Sequence, residues 1–147
     1  MAEPSSKPSS GKVAFDLVSP EKVLAQHEVE MVVVPGEEGD FGVLAEHAPI
    51  LSLLRPGVVQ VYDGNTVIER FFVEGGFAEA NPTGLTVLAE AAVSMEDLTL
   101  DEVKVQLQNA EEDLADTKDP SESELARLER TIAIARARVE AVETQGH

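Results

Sequence analysis

At 147 residues the chain is long enough to bury a core without disulfides or metals, and it contains no cysteine, which removes thiolate chemistry and fits a reducing compartment. A net charge of −17 argues against nucleic acid or anionic lipid as a partner, because attraction to phosphate dominates such affinities. Aromatic content of 4%, with no Trp and one Tyr, leaves little for stacking on bases or sugars.

The chain begins MAEPSSKPSSGK, a Pro/Ser/Lys run without an apolar h-region. Residues 1–12 therefore read as a disordered tail rather than a signal peptide. No run approaches the ~20 apolar residues that span a bilayer. Turn signals then recur: Pro20, PGEEG at 35–39, RPG at 55–57, DGN at 63–65, EGG at 74–76 and NPTG at 81–84. They lie roughly 8 to 15 residues apart, the spacing of an all-β sandwich or barrel. VAFDLV alternates with strand period at Val13, Phe15 and Leu17. VVQVY, then DGN, then TVIERFFV predicts a hairpin with Gly64 and Asn65 at positive φ. LTVLAE at 85–90 adds a strand, and the region 13–95 holds about eight to ten.

Beyond residue 95 the period changes. Thr99-Leu-Asp-Glu102 is a capping box, followed by Leu100, Val103, Leu107, Ala110 and Leu114 at spacings of three and four. Asp119-Pro-Ser-Glu122 predicts a second helix start with Pro120 as its first residue. Leu125, Leu128, Ile132, Ala135, Val139 and Val142 then form one apolar stripe. Residues 96–147 thus read as two antiparallel helices joined by about three residues, stripe against stripe. Each stripe is narrow, so the hairpin should be only modestly stable alone. The second helix also carries a basic edge: Arg127, Arg130 and Arg138 fall within about 80° of one another.

Chemistry is harder to find. GDFGVLAEHAPIL, 39–51, holds Asp40, Glu46 and His47 and spells the kinase triplet Asp-Phe-Gly. No phosphate loop, strand lysine or H-R-D loop accompanies it. Zinc would need three or four ligands, and the other histidines, His27 and His147, do not complete a ligand motif. His47 reads as a turn residue hydrogen-bonded through both ring nitrogens. Ser52 and Ser94 lack a nucleophile elbow, and the glycines of EGGF read as a bulge or close backbone crossing. Neither a catalytic group, a metal site nor a cofactor site is predicted.

LVSPEKVLAQHEVEMVVVPGEEGDFGVLAEHAPIL at 17–51, RPG at 55–57, FFVEGGFAE at 71–79 and VLAE at 87–90 together resemble one family, the epsilon subunit of bacterial F-type ATP synthase. The specific element is the order G-[DE]-[FL]-G, H-A-P, R-P-G, G-G-F. The resemblance implies a ten-stranded β-sandwich followed by an α-helical hairpin. It implies a non-catalytic central-stalk subunit that binds gamma, sits on the c-ring and is peripheral to the cytoplasmic face of the bacterial inner membrane. It further implies that Glu37, Glu38, Gly39, Asp40, Phe41 and Gly42 form a loop facing the polar loops of the c-ring, which commonly carry basic residues, with Asp40 in contact and His47 organising the loop at the border with gamma. In inhibitory members, tail cations meet an acidic segment of the catalytic beta subunit, a role Arg127, Arg130 and Arg138 would take here.

One departure matters. Some members bind ATP through a first-helix pattern of Ile or Leu, Asp, two residues, Arg, Ala. Here Leu100-Asp101-Glu102-Val103-Lys104-Val105 aligns with it, and Lys cannot reproduce the planar grip of Arg. Useful ATP binding is not expected. A free-standing β-sandwich binding module is the alternative from another class, and a hydrolase using His47 is the third.

Overall fold

A computed structural model describes residues 11–145, so most of the expected tail (1–12) lies outside the described residues. These residues form two compact units that divide between Val93 and Ser94. The first unit holds ten strands: β1 (Val13–Val18), β2 (Val23–Val29), β3 (Met31–Gly36), β4 (Gly39–Val43), β5 (Ile50–Leu54), β6 (Gly57–Asp63), β7 (Thr66–Val73), β8 (Gly76–Asn81), β9 (Gly84–Ala89) and β10 (Ala92–Ser94).

They make one sheet in the order β10-β7-β6-β3-β5-β8-β9-β1-β2, with β4 paired to β3. The sheet folds over on itself, because residues from both ends share one core. Phe15 and Leu17 of β1 and Val87 of β9 pack in the same cluster as Val59 and Val61 of β6 and Val73 of β7. Alternation explains the arrangement: Val13, Phe15 and Leu17 are buried, while Ala14, Asp16 and Val18 are half-buried on the opposite face. A 2.9 Å approach of His27 Nε2 on β2 to Glu69 Oε1 on β7 brings together strands from opposite ends of the sheet. β1 pairs with β9 in parallel, whereas β1/β2, β3/β4, β3/β5, β3/β6, β5/β8, β6/β7 and β8/β9 are antiparallel.

The turns follow their residues. The β6–β7 hairpin closes through Gly64 at φ 63. Asn65 does not share the positive φ expected of it, so the connection has the type II′ pattern, in which only the first central residue is left-handed. At the β8–β9 turn, Asn81 Oδ1 accepts from the amides of Thr83 and Gly84 at 2.9 and 3.1 Å. The EGG segment is a close backbone crossing, as its glycines suggest. Gly76 has φ 129, and a Cβ there would stand 2.1 Å from the Leu88 carbonyl oxygen.

After one 3-10 turn at Met95–Asp97, the second unit contains α1 (Leu100–Asp116) and α2 (Glu122–Gln145), packed along each other. Thr99 caps α1 as expected, its Oγ1 accepting from the Glu102 amide at 3.3 Å. The start of α2 differs from the expected one. Ser121 is the cap, its Oγ accepting from the Glu124 amide at 3.1 Å, and Pro120 stands outside the helix. The preceding Asp119 adopts φ 49, which restricts this segment to a turn and lengthens the connection to residues 117–121. Leu128, Ile132, Ala135 and Val142 are buried as the stripe predicts. Ile134 and Ala141 are buried as well, two turns apart and roughly 100° or more around the helix from that stripe.

Candidate functional site

The GDFG segment is strand, not loop. β3 turns through Glu37 and Glu38 into β4, with Gly36 opposite Gly39, Pro35 opposite Asp40 and Val33 opposite Gly42. Neither glutamate has positive φ, so the turn is not one of the primed types whose twist matches a hairpin. Gly39, at φ 137, takes up the mismatch. Gly36 is fixed by space instead: a Cβ there would lie 2.7 Å from the Gly39 carbonyl oxygen. The hairpin therefore displays two adjacent carboxylates, both exposed, on a short and stiff turn.

Arg55 of the RPG turn reaches this hairpin. Its Nη2 donates to Asp40 Oδ1 at 2.5 Å and its Nη1 to the Gly36 carbonyl at 2.5 Å. Its backbone N–H donates to the Pro35 carbonyl at 3.0 Å, and the Glu37 amide donates to the Leu53 carbonyl at 2.9 Å. An open groove of about 610 Å³ results, walled by Gly36–Phe41 on one side and Ile50–Leu53 on the other. Its rim is acidic, and Leu51 and Leu53 on β5 are 69% and 60% exposed, unusual for leucines in a folded sheet.

Of the residues expected at the interface, Glu37, Glu38, Gly39, Asp40 and Phe41 line this groove; Gly42 and His47 do not. His47 lies in the segment between β4 and β5, half-buried, with Nδ1 2.5 Å from the Ala48 carbonyl. One ring nitrogen rather than two is thus engaged by protein. The preceding Glu46 has φ 61, consistent with a turn-forming role. Asp40 is held by Arg55 and forms no acid–base pair with His47. Among the described residues no cluster of three or more His, Asp or Glu is arranged to hold a metal.

A second surface adjoins the groove. Leu53 stands opposite Phe77, Phe77 opposite Leu88, and Leu88 opposite Val18, so one row crosses β5, β8, β9 and β1. Residues directly opposite share a face. Leu53, Phe77 and Leu88 are 60%, 37% and 40% exposed, giving a continuous apolar band on the outside of the sandwich. Pattern alone does not reveal this band, since ILSLL reads equally well with either face inward.

The basic edge of α2 is not a free cationic face. Ile134 and Ala141, both buried, lie between the directions of Arg127, Arg130 and Arg138. Arg138 Nη1 is 3.5 Å from Gln106 Oε1, a long contact, and both Arg130 and Arg138 are engaged within the chain. Arg136, outside that edge, meets Glu111 of α1 at 3.4 Å in an exposed pair.

Residues 12–95 match the family model described as the ATP synthase Delta/Epsilon chain, beta-sandwich domain. The epsilon chain of Parvibaculum lavamentivorans is 48% identical over 120 residues, covering 80% of this chain and 91% of that one. The chain belongs to the ATP synthase epsilon chain family. The epsilon chain of Paramagnetospirillum magneticum is 46% identical over 131 residues, covering 89% and 97% of the two chains, so the likeness extends into the helices. A chain of the Euglena gracilis mitochondrial ATP synthase, solved as an OSCP/F1/c-ring structure, shares the fold with a TM-score of 0.75 at 23% identity, covering 97% of this chain and 87% of that one. A chain from the Tetrahymena thermophila mitochondrial ATP synthase central stalk and c-ring does so with a TM-score of 0.61 at 11% identity, covering 92% and 98%. The β-sandwich and helical pair are thus the epsilon-chain fold. Among its described residues no helix is long and apolar enough to cross a membrane.

Proposed function

We propose that this chain is the non-catalytic epsilon subunit of the ATP synthase rotor, joining gamma to the c-ring at the cytoplasmic face of the inner membrane. The acidic groove rim carries this reading. Glu37, Glu38 and Asp40, with Gly39, Phe41 and Gly42, form the surface offered to basic loops of the ring, and His47 borders it. The apolar row of Leu53, Phe77 and Leu88 is the surface for gamma, because a contiguous exposed apolar row fits a partner's apolar surface and this one continues from the groove through Leu53.

Full-length chain mixed with gamma should elute as a one-to-one complex. Phe77→Asp should weaken that complex roughly tenfold or more, as removal of an apolar anchor does. Elution of the wild-type chain as a free monomer would favour the isolated binding module instead. His47→Gln should leave ATP turnover by the whole complex intact; loss of turnover would revive a catalytic reading.

ATP should not bind the subunit. In the segment aligned with the ATP pattern, Val103 is fully buried and Lys104 is exposed, with Glu111, Glu112 and Asp113 exposed farther along α1. Calorimetric titration with millimolar ATP should give no saturable heat, and saturation would overturn the expectation.

A further inference from the structure

We infer that Arg55 is the positioning residue of the ring-facing surface, fixing where Glu37 and Glu38 stand. The inference rests on the reading of the hairpin as the ring contact and adds a residue with a distinct task. Arg55 touches the hairpin at three points on two strands: the Pro35 carbonyl through its backbone, the Gly36 carbonyl through Nη1 and the Asp40 carboxylate through Nη2. It follows directly on Leu54, at the end of the strand that forms the opposite groove wall, so it sets the distance between the two walls.

The base of Arg55 is itself fixed. Gly57 packs so closely on Pro35 that a Cβ there would lie 2.9 Å from the proline Cβ, and Pro35 is buried. The guanidinium fork thus starts from a defined point and spans an anion and a carbonyl at once, which a lysine ammonium on a flexible stem does not reproduce. Two consequences follow for charge. Asp40 is compensated by Arg55, and the uncompensated charge at the tip belongs to Glu37 and Glu38. Asp40 acts mainly by holding Arg55.

The test uses the full chain assembled with gamma and titrated onto detergent-solubilised c-ring, with thermal melting of each variant measured in parallel. Glu37→Gln/Glu38→Gln examines the underlying reading: unchanged ring affinity there would remove the hairpin as the contact. Given a loss in that variant, Arg55→Gln and Asp40→Asn should each weaken ring binding about tenfold. The double variant should be no worse than either alone, because both break one unit. Melting should change little, the pair being 44% and 56% exposed. Arg55→Lys should restore only part of the affinity. Wild-type binding by Arg55→Gln, full rescue by lysine, or a loss of affinity that tracks a loss of melting temperature would each overturn the assignment while leaving the hairpin contact standing.

Discussion

Replacing Gly76 with alanine should lower the stability of the β-unit by about 3 kcal/mol or more, combining backbone strain with a steric clash. The added Cβ would stand 2.1 Å from the Leu88 carbonyl oxygen and 2.9 Å from the Ala89 Cα, and both are backbone atoms that cannot rotate aside. Relief requires β8 and β9 to separate where Gly76 faces Ala89, next to the exposed row of Phe77 and Leu88. For a domain of this size the melting temperature should fall by roughly 12–24 °C. Gly39→Ala is the control, since Gly39 also has a positive φ, 137°, but has open space around its missing Cβ. It should cost only the conformational strain, roughly 1 kcal/mol. Equal melting temperatures for the two variants would show that the crossing at Gly76 yields more readily than its geometry implies. Because Phe77 follows directly, the alanine variant should also lose affinity for gamma beyond its loss of folded protein.

Removal of residues 96–147 should raise ATP hydrolysis by the assembled complex on the order of fivefold or more, the span of ordinary coupling free energies. The helices of the free chain are already satisfied: Thr99 and Ser121 cap them, and Arg130 and Arg138 are engaged within the chain. An inhibitory position therefore has to exchange these contacts for new ones on the catalytic beta subunit, and only the difference in free energy drives the shift. That difference is tunable, which suits a brake. Alanine at Arg127, Arg130 and Arg138 together should reproduce part of the rise if these cations make the new contacts. Unchanged hydrolysis after truncation would leave the hairpin as a folded resting element without a braking role. A rise after truncation with none in the triple variant would shift the contact to other residues of the tail.

Much of this architecture is legible in sequence because it is local. Alternation at Val13, Phe15 and Leu17 sets a strand and its buried face, and Thr99 with Glu102 sets a helix start. The order of GDFG, HAP, RPG and GGF along the chain carries the family. Local signals also misled where two were adjacent. Asp119 and Ser121 both qualify as caps, and the left-handed Asp119 before Pro120 hands the role to Ser121. The GDFG run looks like a loop because glycine and aspartate are turn residues. It pairs as a strand because five consecutive positions of β3 offer it partners.

What the sequence by itself determined is the set of elements, the acidic composition and the chemistry that is missing, all properties of residues and their near neighbours. What only tertiary structure decided is which distant residues share a surface. Asp40 and Arg55 lie fifteen positions apart and meet because β5 returns alongside the β3–β4 turn. Leu53, Phe77 and Leu88 become one band because three strands stack them in register, and period two alone cannot say which face of a strand meets solvent. The buried Ile134 and Ala141 change the basic edge in the same way, since burial depends on what lies opposite a helix face. Pairing across the sheet is set by the global fold, and the candidate site is made of such pairings.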